Sequence, residues 1–366
     1  MKSIEIMRKK RLFEDSGTGH NRWHPDIPPI LEVEQNEEVI LPTRDALDGQ
    51  FSPKTTIDDF SDLDANAVHP LTGPVFIKGA EPGDLLEIEF LDVLPDSWAF
   101  TCIVPGLGFL RDLFHDPYMV HWKIEDEIAT SPQLPGVRIP GAPFLGISGV
   151  APSHHELSRW IKREQDLMDR GGLVFPPEIN GAVPSFPPVS SEGLRTIPPR
   201  ENGGNLDVKQ LSRGSKLYLP VLVDGALFSA GDAHFAQGDG EVCVTAVEMS
   251  ATAELRFRVH KGEAAKGNIV GPVFQGSKSN LDIPQNFTAT VGMPIDDEGK
   301  NLGEDLTLAA RNALLAMIRL LELRGWTRQQ AYVICSVAVD LRVSNAVDVP
   351  NYVVSAILPE SIFNDG

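Results

Sequence analysis

The 366-residue chain has 51 acidic against 32 basic residues, a formal net charge of −19. That balance argues against nucleic acid or an anionic membrane as partner, since phosphate binding needs basic clusters. Hydrophobic residues make up 42% of the chain, enough for a real core, and 32 glycines with 29 prolines point to a mainly β protein with many turns and long loops.

Residues 1–14 are studded with Lys and Arg and lack an apolar run, so no secretory leader is expected. No stretch reaches about 18 uninterrupted apolar residues, so no membrane span is expected and the chain reads as a soluble, cytoplasmic protein. Cys102, Cys243 and Cys335 lie far apart among apolar neighbours and read as small buried hydrophobes, with no disulfide or zinc spacing.

Short strands are expected at 30–33 and 39–41. Asp45-Ala-Leu-Asp48-Gly49-Gln50 follows, a pair of acids at a turn, either ligands or acid/base groups or a simple Asx turn. His69 stands at a strand entrance. Residues 74–78 and 85–93 flank the turn Gly79-Ala-Glu-Pro-Gly-Asp84, where proline presets φ and glycine supplies a positive φ, and they read as a hairpin. In 85–93, Leu86, Ile88 and Phe90 share one face and Glu87 and Glu89 the other. Residues 153–169 have helical spacing. The proline-rich 171–203 stretch reads as an excursion over the rest of the fold, ending in a tight turn at Gly203-Gly204, with Asn205 and Asp207 on one side of an extended segment. Residues 217–223 read as a strand and Asp224-Gly225 as a hairpin signal.

The densest chemistry is at 231–241, where Asp232, His234, Asp239 and Glu241 are interleaved with Gly231, Gly238 and Gly240. It reads as a turn that collects acids and a histidine, followed by a buried strand over 242–247 that ends at Glu248, a buried, paired acid. Such a set suits a divalent metal or acid/base work. A strand follows at 254–260, and short strands and turns at 269–293. Helices are expected at 305–324, capped by Asp305 and ended by Gly325, and after Thr327, with a closing strand at 352–358. The fold class is therefore mainly β with an α+β C-terminal part. Its approximate lobes are 20–150, 151–203, 204–293 and 294–366, the β-rich ones sandwich- or barrel-like.

Asp45-Ala-Leu-Asp48-Gly-Gln, His69-Pro-Leu-Thr-Gly-Pro74, Gly79-Ala-Glu-Pro-Gly-Asp84, Gly203-Gly-Asn205-Leu-Asp207 and Gly231-Asp232-Ala-His234-Phe-Ala-Gln237-Gly-Asp-Gly-Glu241 together resemble the acetamidase/formamidase family over nearly the whole chain. The resemblance implies hydrolysis of a short aliphatic amide to carboxylate and ammonia, by a homo-oligomer, dimer or trimer. The 171–200 insertion and the Thr196–Arg200 approach look like the formamidase branch and Asp48 like the acetamidase branch, so formamide is the first choice and acetamide the second.

No cysteine has an activating neighbour, which favours water activated by a divalent metal, with zinc the first choice. The expected ligands are Asp45, His69 and His234. Glu241, Asp48 and Asp232 are the expected catalytic acids, and Asn205, Asp207 and Gln237 would position the amide. Asp84 and Asp239 read as structural. The competing readings are a non-catalytic ion- or ligand-binding protein of the same fold, and a hydrolase of a larger or cyclic amide.

Overall fold

Strand alternation, caps and turns place most of the chain in two large sheets and one smaller α+β layer in the computed structural model, which describes residues 1–276 and 284–363. Part of the expected 269–293 stretch, at 277–283, lies outside the described residues. The first large sheet runs in the order Lys2–Ser3, Glu38–Thr43, Ala251–His260, Leu85–Pro95, Lys216–Pro220, Val273–Gln275. Ala251–His260 sends Ala253, Leu255, Phe257 and Val259 inward and Glu254, Arg256 and Arg258 toward solvent. Leu85–Pro95 buries Leu86, Ile88 and Phe90 as its alternation requires, while Glu87 binds Lys216 at 2.6 Å and His260 at 2.8 Å.

The second sheet follows the order Arg138–Pro140, Ile128–Thr130, Tyr118–Glu125, Trp98–Ile103, Glu248–Met249, Phe228–His234, Phe144–Gly149, Gly203–Asn205, with Leu71–Ile77 also paired to Phe228–His234. One apolar cluster joins the sheets, drawing Leu86, Phe90 and Phe257 from the first and Val120, Leu145 and Phe228 from the second. Both sheets take strands from the 20–150 and the 204–293 stretches.

Helix His154–Met168 starts at Ser153, whose Oγ accepts from the Glu156 amide, and it buries Leu157 and Trp160 while Leu167 and Met168 stay exposed. Near the C-terminus Phe287–Gly292, Val353–Pro359 and Asp340–Asn345 form an antiparallel sheet. Leu306–Leu323 packs on it so closely that a Cβ on Gly292 would stand 2.0 Å from the Ala309 carbonyl oxygen. Asp305 accepts from Leu308 N at 2.9 Å and Gly325 follows the helix at φ 98°. Thr327 and Gln330 form a capping box at the start of Arg328–Ala338.

Four local expectations are corrected. Residues 74–78 and 85–93 form no hairpin, because Leu71–Ile77 is buried on both faces inside the second sheet while Leu85–Pro95 belongs to the first. The 79–84 turn thus carries the chain between sheets. Asp224-Gly225 makes a turn with positive φ continuing through Ala226 and Leu227, and its flanking strands also pair in different sheets. Gly203 and Gly204 lie in a short strand, the turn itself falling one step earlier, closed by reciprocal bonds between Arg200 and Gly203.

The fourth correction bears on the site. Residues 231–234 are the end of a strand rather than a turn, and 242–247 is an irregular buried loop rather than a strand. Glu241 and Val244 hold positive φ, and the loop bonds both to helix Arg328–Ala338 and to strand Trp98–Ile103, whose Cys102 amide donates to Thr245 Oγ1 at 2.9 Å. The Tyr332 hydroxyl donates to the Val242 carbonyl, and Ser336 Oγ accepts from Cys243 N at 3.1 Å and donates to Thr245 O at 2.7 Å. The apolar run is buried, as its composition demands, but it lies as a loop between a helix and the strand that carries Thr101 and Cys102. No helix among the described residues is long and apolar enough to cross a membrane.

Candidate active site

His234 ends the Phe228–His234 strand, where its ring is 1% exposed and packs edge-on against Phe144 at 5.0 Å. Its Nε2 lies 3.1 Å from Glu248 Oε2, 3.4 Å from Asp232 Oδ1 and 4.0 Å from Glu241 Oε1. Its Nδ1 is 2.9 Å from Gln237 Oε1, and Gln237 Nε2 donates to the Asp207 carbonyl at 2.8 Å. That chain assigns the proton to Nδ1 and leaves Nε2 facing the carboxylates. Gln237, expected to hold substrate, is thus engaged at both ends and orients His234.

Burial dominates the electrostatics. Alone it would lower the His234 pKa, but Glu248 and Asp232 outweigh it and hold the imidazole well above its ordinary value. For Asp232 burial works upward, and His234 with His69 brings the carboxyl down to about 2. Burial pushes Asp207 up to about 7 against the pull of His234, and burial together with Asp207 pushes Glu241 well above the usual carboxylate range. Glu248 is raised by burial with His234 opposing. A proton is therefore retained in the Asp207–Glu241 region, while Asp232 stays ionised.

Asp207 Oδ1, Asp232 Oδ1, His234 Nε2 and Glu248 Oε2 are buried without a well-formed hydrogen bond, although Nε2 lies within ion-pair range of Glu248 and Asp232. Buried polar atoms in folded proteins are nearly always satisfied, so such a convergence marks a place built for a ligand. Two overlapping sets have ligand atoms mutually within 4.8 Å, Asp232–His234–Glu248 and Asp207–His234–Glu241. The donor set, one imidazole with hard carboxylate oxygens, fits a divalent cation. A third set, His24–Asp26–His154, sits apart with two exposed members.

The strand register makes the site. Phe228–His234 pairs with Glu248–Met249 so that His234 and Glu248 are cross-strand partners, and with Phe144–Gly149 on its other side. Gly146 lies under the acids: a Cβ there would stand 2.5 Å from Asp207 Oδ1 and 2.9 Å from both Asp232 O and Asp232 Oδ2. Only a residue without a side chain lets the two carboxylates meet. Sequence reasoning missed Gly146, and it assigned Glu248 a paired, buried role without placing it against His234. The signal for Glu248 was an acid at the end of an apolar run.

Other expected site residues are placed differently. Asp45, expected as a ligand, has Oδ1 accepting from Leu47 N at 2.9 Å and Oδ2 from Gly49 N at 3.1 Å, the Asx turn its spacing allowed. It is buried, and burial pushes its carboxyl up to about 6, with the amides of Gly49 and Leu47 opposing and Asp48 and Glu248 adding. His69, also an expected ligand, has its amide on Thr196 Oγ1 at 2.7 Å. Burial lowers its pKa while Asp232 opposes, and it lies outside both ligand sets. Asp48, expected to be catalytic, is not brought to His234. Its oxygens accept from Leu12 N at 2.8 and 3.0 Å, and Arg11 and Arg44 lie at 3.5 and 3.8 Å, so it anchors the N-terminal segment. Asn205 donates from Nδ2 to the Ile197 carbonyl at 3.0 Å and keeps Oδ1 unpartnered. Asp239 faces Gln210, as a structural turn residue would.

The Acetamidase/Formamidase family profile matches residues 5–365. The chain is 36% identical to an acetamidase of Mycolicibacterium smegmatis, over 90% of this chain and 88% of that protein. It is also 36% identical to a formamidase of Methylophilus methylotrophus, over 98% of this chain and 93% of that one. Among solved structures, a gamma lactamase from Delftia acidovorans superposes with a TM-score of 0.94 at 35% identity, covering 100% of this chain and 94% of that chain.

Proposed function

The chain belongs to the acetamidase/formamidase family of amide hydrolases, and we propose that its substrate is a short aliphatic amide, formamide first and acetamide second. The observation that carries the reading is the set of orphaned buried atoms around His234, opposite a retained proton at Asp207 and Glu241.

A divalent cation, with zinc the first choice, would be held by His234 Nε2, Asp232 and Glu248, in place of the Asp45, His69 and His234 set expected from sequence. When bound, such an ion polarises a carbonyl oxygen and lowers the pKa of water. Gln237 fixes the proton on His234 Nδ1, so that Nε2, where Glu248 and Asp232 favour a proton, is the nitrogen that would exchange that proton for the ion. Water adds to the carbonyl carbon as the Asp207 carboxylate takes its proton. The C–N bond then breaks as the Glu241 carboxyl protonates the departing nitrogen, releasing ammonia and the carboxylic acid, which ionises in water, and the proton on Asp207 returns to Glu241 to reset the pair. Phe144 packs edge-on against the His234 ring and steadies its orientation.

A second reading, a cyclic amide as substrate, is supported by the similarity to the Delftia gamma lactamase. Purified protein supplied with zinc is assayed for ammonia from formamide and acetamide, and for ring opening of 2-pyrrolidinone. Ammonia from either linear amide supports the first reading, and ring opening alone supports the second. Silence on all three, with metal bound, overturns both. We also propose a homo-oligomer, dimer or trimer, which light scattering tests directly.

A further inference from the structure

We infer that Ser148 contacts amides longer than acetamide, and that among these the site favours ones with a second hydrogen-bonding group beyond the amide. The inference rests on the amide-hydrolase reading above.

Ser148 is 1% exposed, and its Oγ has no hydrogen-bond partner. A buried hydroxyl left unsatisfied is unfavourable, so its retention calls for something that binds it. Successive side chains on a strand alternate, so Phe144, Gly146 and Ser148 share a face of Phe144–Gly149. Phe144 supports the His234 ring and Gly146 lies under Asp207 and Asp232, which makes this the face of the reaction centre.

Ser148 is the next position along that face. Its cross-strand neighbours are Gly204 and Ala230, so no large side chain flanks its hydroxyl. Beyond Ala230 in the same row is Thr72, whose hydroxyl donates to Pro42 O at 2.7 Å and ties the approach to the Asp45 turn to this row.

Geometry sets what Ser148 can reach. Two residues of strand separate it from Gly146 by roughly 6.5 Å. Subtracting a hydrogen bond of about 2.8 Å leaves about 3.7 Å from a carbonyl carbon held among the acids to the recognised atom. That is the span of three covalent bonds, the separation of amide carbon and oxygen in a 3-hydroxy or 3-oxo amide. Formamide and acetamide are too short to make the contact.

The test compares 3-hydroxypropanamide with butanamide, which replaces the hydroxyl by a methyl group at nearly constant shape. The wild-type protein is expected to favour the hydroxyamide in kcat/KM by about tenfold or more, because a site built around a polar partner rejects the analogue that lacks it. Ser148→Ala is expected to bring that ratio to about one without lowering the melting temperature, since the hydroxyl has no partner in the free protein. An equal ratio in wild type and variant overturns the inference, as does a lower melting temperature with the ratio unchanged, which assigns the hydroxyl a structural role. Wild-type turnover of formamide or acetamide but of neither longer amide also overturns it while leaving the family activity standing. No ammonia from any of the four amides instead removes the reading on which it rests.

Discussion

Gly146→Ala is a direct test of the site geometry. Gly146 has no positive φ, so alanine fits its backbone and the effect is steric alone. The added methyl would stand 2.5 Å from Asp207 Oδ1 and 2.9 Å from Asp232 O and Oδ2. Ordinary carbon–oxygen contact is roughly 3.3 Å, so Asp207 must yield by about 0.8 Å and Asp232 by about 0.4 Å. Asp207 has little freedom to do so, because its amide and that of Leu206 both bond to the Gly146 carbonyl, at 3.2 and 3.0 Å. Overpacking of this kind costs about 1–3 kcal/mol, partly offset by about 0.4–1 kcal/mol from the stiffer unfolded chain. The larger effect is on turnover, since a shift near 1 Å in a reacting group costs about 100-fold. Steady-state ammonia release and thermal melting of Gly146→Ala are compared with Gly271→Ala, where a Cβ meets nothing within 4 Å. The expected result is a loss of about 100-fold in kcat/KM for Gly146→Ala and none for Gly271→Ala. Wild-type activity in Gly146→Ala would refute the placement of Asp207 and Asp232 as a working pair.

Three further outcomes follow from the same geometry. His234→Ala should lose about 1,000-fold or more in kcat together with bound metal, read by elemental analysis of the purified protein; full metal content at normal turnover would remove His234 from the centre. Gln237→Leu keeps the volume but frees the His234 ring, and metal affinity or activity should fall about 10- to 100-fold, with little change in melting temperature. His20 is buried between the Arg22 carbonyl and Ser229 Oγ, at 2.6 and 2.7 Å, and burial lowers its pKa to about 4 from 6.5. Its folded pKa lies below the unfolded one, so stability is complete above pH 6.5 and is lost as pH falls toward 4. The difference between wild-type and His20→Gln stability should change by about 3 kcal/mol across that window, in urea melts at stepped pH. A flat difference would show that His20 is not held neutral.

Local rules reached some of these features and not others. Asp305, Thr327 and Gly325 are helix caps visible in a few residues of chain, and the caps and alternation they bound were read correctly. The 231–241 stretch showed its importance because acids and a histidine were crowded among glycines, and His234 and Asp232 do meet there. Asp48 had the same local look as Asp45, yet its carboxylate is held by Leu12 and Arg11, from residues that no turn rule connects to it.

The sequence by itself determined the composition-level class, the helix boundaries, the apolar faces and the neighbourhood of the site, because each depends on contacts within about a dozen residues. The tertiary structure alone decided three things. It placed Leu71–Ile77 and Leu85–Pro95 in different sheets, since burial on both faces outweighed a good turn between them. It turned 242–247 into a loop whose backbone is satisfied piecemeal, by Tyr332 and Ser336 of a helix and by Thr101 of a strand, instead of by a continuous ladder. It also set Glu248 opposite His234 and Gly146 beneath Asp207 and Asp232, through strand registers that no local rule in the chain specifies.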